Sequence, residues 1–262
     1  MGTIMIKGSA LVCPVCGSLE WRIAYKINEW DICECLSCRF ARIIPIPEPA
    51  KRPDLYSEEA VVGRDTKKLT VLRRFSRALK QVSNKILKRD KGGIFYNKLC
   101  KYIAPGSKVL DVGCGGGSFL LLARQRFTCV GIEISEYLAG VAMKNSGIKV
   151  VVGDFHAADF GSEKFDAITL ISLLEHFVDP AGVIQKCHSL LNDKGVLLIK
   201  TVNYDCINRK IKMAGWTGFR PPDHVVYFSP KNLKILLTKA GFSKTKFLAY
   251  PFSDNMYCDA TK

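Results

Sequence analysis

The segment Lys108–Phe119, KVLDVGCGGGSF, constrains the fold of this chain more than any other. A short apolar strand, Val109–Val112, carries the carboxylate of Asp111 at its end. A turn containing Gly113, Gly115 and Gly117 follows, and an apolar helical run, Ser118–Phe127, comes next. Glycines let the backbone turn sharply and leave no side chain between it and a ligand. Strand, glycine turn and helix in this order form the first βα turn of an open α/β sheet, where such folds bind ligands. The dinucleotide pattern is G-x-G-x-x-G, whereas the glycines here read G-x-G-x-G after Asp111, and no G-x-x-x-x-G-K-[ST] phosphate loop occurs. A pyrophosphate ligand is therefore disfavoured. A carboxylate beside the glycines suits a ligand that carries an ammonium group.

Downstream, strand and helix alternate. Strands are expected at Val109–Val112, Thr128–Ile134, Lys149–Val152, Phe165–Ile171, Gly195–Val202 and Lys244–Tyr250. Helices are expected near 94–103, 117–126, 135–146, 180–191 and 230–241. This alternation implies an α/β fold with a doubly wound, Rossmann-like, mainly parallel sheet. Asp111, Glu133 and Asp154 then close three successive strands on one edge of the sheet. Unrelated surface acids would not be expected to fall so regularly.

The D-x-G-x-G-x-G pattern resembles motif I of the class I S-adenosylmethionine (SAM)-dependent methyltransferases. The resemblance implies a cofactor site built from Asp111, Gly113, Gly115 and Gly117. Glu133, with Ile134 beside it, would take the ribose diol, and Asp154 and Phe155 the adenine. The segment Leu174–Glu175–His176–Phe177–Val178–Asp179–Pro180 is similar to the L-E-H-x-x-D-P stretch of small-molecule methyltransferases of the ubiquinone/menaquinone and glycan-modifying type. Ile171 and Leu173 would line the cofactor's methionine end, and His176 would face the methyl-transfer site. Trp216–Pro230 resembles the W-x-x-x-x-P-P-x-H-x-x-x-F-S/T-P segment of the same relatives and contributes His224. The class I sheet has seven strands. Only six are readable here, and Ser253–Lys262 is too polar and irregular to assign, so a chain short at its C-terminus is one expectation.

The first 50 residues read as a separate module. Cys13-x-x-Cys16 and Cys35-x-x-Cys38 are two knuckles 18 residues apart, a spacing that suits a four-cysteine zinc site. The stretch resembles a zinc ribbon, and two β-like runs, Trp21–Ile27 and Trp30–Cys33, lie between the knuckles. Cys33 could replace Cys35, with poorer spacing. Four thiolates leave zinc no open position, so the metal would be structural. It would also supply folding free energy to a module with little core.

Pro45, Pro47, Pro49 and Pro53 make an extended linker. Residues 64–91 carry eleven Lys/Arg against two Asp. Leu72, Phe75, Leu79, Val82 and Ile86 form an apolar stripe at helical spacing. The plain reading is a helix packed on the catalytic domain with a solvated basic face; the sharper one is peripheral contact with an anionic membrane surface, a phosphate-bearing glycan or RNA. The organisation expected is thus a zinc ribbon at 1–50, linker and basic helix at 51–92, and a SAM-binding domain at 93–262.

Net charge is +15, which favours a polyanionic partner or surface. No run approaches the ~18 apolar residues of a membrane span, and no secretory signal is evident. Eleven cysteines, several in core elements, argue against a secreted disulfide framework and for a reducing, cytoplasmic setting.

The expected activity is transfer of a methyl group from SAM to a small-molecule acceptor, an oxygen of a sugar, glycolipid or isoprenoid-type substrate. His176 and His224 are the candidate bases, each with a structural alternative: a helix cap for His176 and a loop anchor for His224. An RNA methyltransferase using the ribbon and basic surface is a competing reading. Ser-Leu-Leu-Glu after the fourth strand disfavours it, because many base N-methylating enzymes carry Asn/Asp-Pro-Pro-Tyr/Phe there. A SAM-binding or interaction module without activity is the third.

Overall fold

The computed structural model describes residues 5–6, 12–47 and 91–262. The basic helix expected at 64–91, apart from its last residue, and most of the linker lie outside the described residues. The ribbon comprises β1 (Met5–Ile6), β2 (Trp21–Ile27), β3 (Trp30–Cys35) and β4 (Ala41–Ile44). Next come α1 (Lys91–Tyr102), β5 (Lys108–Val112), α2 (Ser118–Ala123), β6 (Thr128–Glu133), α3 (Glu136–Ser146) and β7 (Val150–Val152). The remainder is β8 (Phe165–Ile171), α4 (Pro180–Leu190), β9 (Leu191–Val202), α5 (Ile207–Lys212), β10 (Val226–Tyr227), α6 (Pro230–Lys239), β11 (Lys244–Ala249) and β12 (Asn255–Thr261).

The large sheet has seven strands in the order β11-β12-β9-β8-β5-β6-β7. Pairings β5/β6, β6/β7 and β8/β9 are parallel, whereas β12 runs antiparallel to both β9 and β11. This is the expected α/β class. The expectation of a missing seventh strand is corrected: the polar tail forms it. Met256, Cys258 and Ala260 alternate inward and are buried. The strand pairs along its length, from Asn255↔Val202 to Thr261↔Val196. Its polar residues hid a period-two pattern that pairing on both sides makes stable.

Two compact units are present, Met1–Pro49 with Asp159–Lys262, and Ala50–Ala158. In the second unit, α1 begins at Lys91 and runs through Gly92–Gly93, where a break was expected. Phe95 and Leu99 are buried, and Phe95 meets Phe119 edge-on at 6.2 Å. This packing overrides the poor helix propensity of glycine. In the first unit, β10 pairs with β4 through Tyr227↔Ala41 and Arg42↔Val226. The ribbon sheet, order β1-β2-β3-β4-β10, thus contains a strand from the far end of the sequence. Phe40 packs on Phe228 at 5.1 Å and Tyr25 on Phe219 at 5.2 Å.

Gly117 shows how tightly the first βα turn is built. Its φ is +79°, and a Cβ there would lie 2.9 Å from the Ala142 Cα. Gly117→Ala is expected to cost about 2–4 kcal/mol in urea denaturation, from left-handed strain and overpacking together. Gly115 has φ +52° with nothing within 4 Å. Gly115→Ala should therefore carry only the backbone cost, ~1–2 kcal/mol.

Candidate functional site

The glycine turn lies wholly within the unit Ala50–Ala158. Asp111 is 2% exposed and stands opposite Gly131 in the β5/β6 ladder. A Cβ on Gly131 would meet Leu120 at 2.8 Å and the Cys114 sulfur at 2.9 Å. Glycine is needed there for α2 to close over the sheet. The N–H groups of Gly113 and Cys114 both donate to the Ile132 carbonyl, at 2.8 and 3.2 Å. Glu133 is buried and braces the turn: Oε2 accepts from the Gly115 N–H at 2.8 Å and Oε1 from the Ser135 N–H at 3.0 Å. A carboxylate oxygen has more than one lone-pair direction, so these bonds leave acceptor capacity on both.

Ser135 caps α3 by accepting from the Leu138 N–H. Ile134, just before it, is 41% exposed, an apolar surface at the strand end. Gly153 donates to the Glu133 carbonyl at 2.9 Å. Asp154 is exposed, and its Oδ1 accepts from the His156 N–H at 2.9 Å. Phe155 is only 3% exposed, so its ring belongs to the interior. Of Ile134 and Phe155, Ile134 is the one that presents surface.

His176 and His224 lie in the other unit. His176 ends a 3-10 turn, Leu174–His176. Asp179 caps α4, accepting from Gly182 N–H at 3.0 Å, with Pro180 at its first position. Ile171 and Leu173, at the end of β8, are half-buried. Between them Ser172 has φ +55°, a costly left-handed conformation for a non-glycine residue. It is held by Lys200, whose Nζ donates to Ser172 Oγ at 2.6 Å and whose carbonyl accepts the Ser172 N–H at 2.8 Å.

His176 Nδ1 lies 2.8 Å from the Asp223 carbonyl oxygen and 3.1 Å from Asp223 Oδ1. Arg220 Nη2 donates to Asp223 Oδ2 at 2.6 Å. Burial opposes charge on the His176 ring, but the Asp223 hydrogen bond and the charges of Glu175 and Asp223 outweigh it, and the ring's pKa is raised. Burial likewise raises Asp223, but His176 and Arg220 pull it down to about 2. His224 contrasts with its neighbour. Its Nδ1 lies 2.8 Å from the Gly218 carbonyl, and burial followed by the charge of His176 pushes its pKa down to about 4. At neutral pH it is therefore an uncharged imidazole whose Nδ1–H is spent on Gly218. The two rings meet edge-on, centroids 4.9 Å apart. Glu175 is buried, accepts from the Thr201 hydroxyl at 2.8 Å, and offers a carboxylate oxygen within 4.8 Å of a nitrogen of each ring.

The loop carrying His224 is rigidly held. Trp216 Nε1 donates to Asp254 Oδ1 at 2.8 Å. Gly218 sits against that indole so closely that a Cβ would fall 2.3 Å from the ring. Asp223, Glu175, Ser172, Lys200 and Asp254 were not singled out from sequence. For Asp223 a signal existed, a carboxylate immediately before a histidine in a Pro-Pro turn. Asp254 lies in the tail that was left unread.

Cys13, Cys16, Cys35 and Cys38 converge, all four sulfurs lying within 4.8 Å of one another. Cys13–Cys38 is 3.6 Å and Cys16–Cys35 3.5 Å. These separations exceed a disulfide bond. They approach the ~3.8 Å edge of a tetrahedron with ~2.3 Å zinc–sulfur bonds. Cys33 is not in the cluster, so Cys35 is the fourth member. Arg42, 7% exposed, has an Nε without a hydrogen-bond partner and lies where it feels the charges of Cys13 and Cys33. A buried guanidinium that feels the charge of Cys13 fits an anionic metal tetrathiolate.

An acid-and-glycine turn after β5, in a parallel sheet whose one reversed strand is inserted beside an edge, defines the class I methyltransferase fold. Residues 73–246 match the family described as methyltransferase domain, and the chain belongs to that family. Ubiquinone biosynthesis O-methyltransferase of Actinobacillus pleuropneumoniae serotype 5b is 39% identical over 109 residues, 37% of this chain and 47% of that protein. The corresponding protein of Pseudomonas syringae pv. tomato is 37% identical over 105 residues, 37% of this chain and 45% of its own. The chain thus spans less than half the length of these curated relatives. Among solved structures, magnesium protoporphyrin IX methyltransferase from Synechocystis PCC 6803 with bound SAH superposes with TM-score 0.61 at 17% identity, covering 82% of this chain and 100% of the other. An amino pentose methyltransferase from Micromonospora echinaspora gives TM-score 0.51 at 15% identity, covering 66% and 90%. At these identities the likeness concerns the fold.

Proposed function

We propose that this chain transfers a methyl group from SAM to a hydroxyl oxygen of a small-molecule acceptor, a sugar, glycolipid or isoprenoid-type compound. The observation that carries the reading is the His176–Asp223 pair. The Asp223 carbonyl accepts from Nδ1–H and fixes the ring's tautomer, and the Asp223 carboxylate beside it raises its basicity, which is what a general base for a hydroxyl needs. The relatives named for ubiquinone biosynthesis support an O-linked, small-molecule acceptor.

On the cofactor side, Asp111 would take the ammonium group, Gly113, Gly115 and Gly117 would present bare backbone, and Glu133 would accept from the ribose hydroxyls. Ile134 would offer apolar surface to the adenine, with Phe155 backing the site from the interior, Asp154 near the adenine's amine and Ile171 and Leu173 near the methionine chain. When bound, SAM supplies an electrophilic methyl carbon. His176 Nε2 would take up the acceptor's hydroxyl proton. Asp223 keeps the ring oriented and stabilises its charged form, and Arg220 keeps Asp223 ionised. His224 stays neutral and packs the edge of that ring.

The four cysteines would hold a structural zinc ion. Among the described residues no helix is long and apolar enough to cross a membrane. Peripheral attachment to an anionic surface would fall to the basic segment 64–91. Incubation with methyl-labelled SAM and fractionated cell extract tests the reading. Label should enter the lipid or glycan fraction. Label in RNA would favour the nucleic-acid reading, and SAM binding without transfer to any fraction would favour an inactive module.

A further inference from the structure

We infer that the cysteine ribbon is the frame that positions the His176–Asp223–His224 group, rather than a detachable recognition arm. The inference rests on the proposed role of these histidines. It is carried by a continuous set of backbone bonds within one compact unit. Cys35 and Cys38 flank the turn between β3 and β4, where the Cys35 N–H donates to the Phe40 carbonyl at 2.8 Å and the Arg39 N–H to the Cys35 carbonyl at 2.9 Å. From β4, the Ile43 N–H donates to the Val225 carbonyl at 3.0 Å. Val225 directly follows His224, and its own N–H donates to the Glu175 carbonyl at 2.8 Å. Glu175 directly precedes His176. One residue, Val225, therefore ties β4 to the backbones of both histidines. Tyr227, paired with Ala41, adds a further bond from its hydroxyl to the His224 carbonyl at 2.9 Å.

Two cross-braces strengthen the frame. Lys239 Nζ donates to the Val15 carbonyl at 2.7 Å, inside the first knuckle. Arg209 Nη1 donates to Tyr25 Oη at 2.8 Å.

Arg42 links the metal site to this ladder. It stands opposite Val226 in the β4/β10 register. Its buried Nε has no hydrogen-bond partner. A divalent metal with four thiolates carries two negative charges, the counter-charge a buried cation needs. Loading the metal should therefore stabilise β4 where it holds the histidine loop. Unloading it should release the loop while leaving the glycine turn, which Ile132 and Glu133 brace, unchanged.

The test uses the full chain, metal-loaded and as the Cys38→Ser variant. Imidazole nitrogen–proton spectra follow the chain's four histidines, and calorimetry follows SAM. In the variant the His176 and His224 resonances and their titration midpoints should move. His156 should stay fixed, SAM affinity should stay within about 3-fold, and turnover should fall about 100-fold, the scale of a small displacement of a catalytic group. Should Cys38→Ser fail to fold, Arg42→Met, which retains all four thiols, replaces it. It should weaken metal binding about 10- to 100-fold, as loss of an outer-shell partner does, and shift the same two histidine signals.

Unmoved His176 and His224 resonances in a folded, metal-free protein would overturn the inference. So would histidine shifts produced by a chelator equally in wild type and Cys38→Ser, since they would report a cation held by the histidines themselves. Failure of the catalytic reading is separate: it would appear as full turnover in His176→Ala, with the spectral coupling intact.

Discussion

His176→Ala is expected to lower turnover by about 10²- to 10⁴-fold, the range of a positioned general base, with SAM affinity changed only a few-fold. Single-turnover kinetics and calorimetry measure the two effects separately. The ring works as a base only when neutral. Because Asp223 raises its pKa against the effect of burial, the ascending limb of kcat/KM should lie above the ordinary imidazole value of 6.5. Asp223→Asn keeps the volume and removes the charge. The limb should then move to lower pH, because the charge that favoured the imidazolium is gone, and the plateau rate should fall with the weaker base, while the backbone carbonyl at position 223 keeps the tautomer fixed. A purely structural His176 would leave the pH profile unmoved. Unchanged turnover in His176→Ala would end the assignment.

Asp111→Asn should weaken SAM binding about 100-fold, from ~3 kcal/mol for a charge-assisted hydrogen bond in a buried setting. Asp111 is buried at the end of β5. The denaturation midpoint, measured alongside, separates lost affinity from lost fold. Glu133→Gln makes a second case. Both Glu133 oxygens accept backbone N–H groups, and an amide would place an NH₂ against one of those donors. That variant should lose stability as well as affinity. Retained tight binding in Asp111→Asn would refute the ammonium assignment.

Most of the α/β frame was legible because its signals are local. Val109–Val112 with the glycines after it, Thr128–Glu133 and Phe165–Ile171 are apolar runs closed by turn residues, and parallel strands buried on both faces need such runs. The cysteine spacing was legible for the same reason: two knuckles leave few ways to gather four thiols. Ser253–Lys262 was not legible. Its strand β12 is stabilised by ladders to β9 and β11, and pairing partners distant in sequence leave no mark on composition. Helix α5 was also missed. Its six residues carry three basic groups and no clear apolar face, and Asn208 and Arg209 tie it to Asp254, Phe252 and Tyr25.

The sequence by itself determined the kind of sheet, the acid-and-glycine turn and the four thiols, because each depends on periodicity or spacing over a few residues. Only the tertiary structure decided that Cys35 and not Cys33 completes the thiol cluster. It also set the Asp223 carboxylate against His176, buried His224 beside that ring so that it stays neutral, and joined β10 to the ribbon sheet. These outcomes turn on which buried donor meets which acceptor across 25 or more residues of chain, and in Cys13–Cys38, His176–Asp223 and Arg42–Val226 folding had to bring the partners together before burial and charge could set their chemistry.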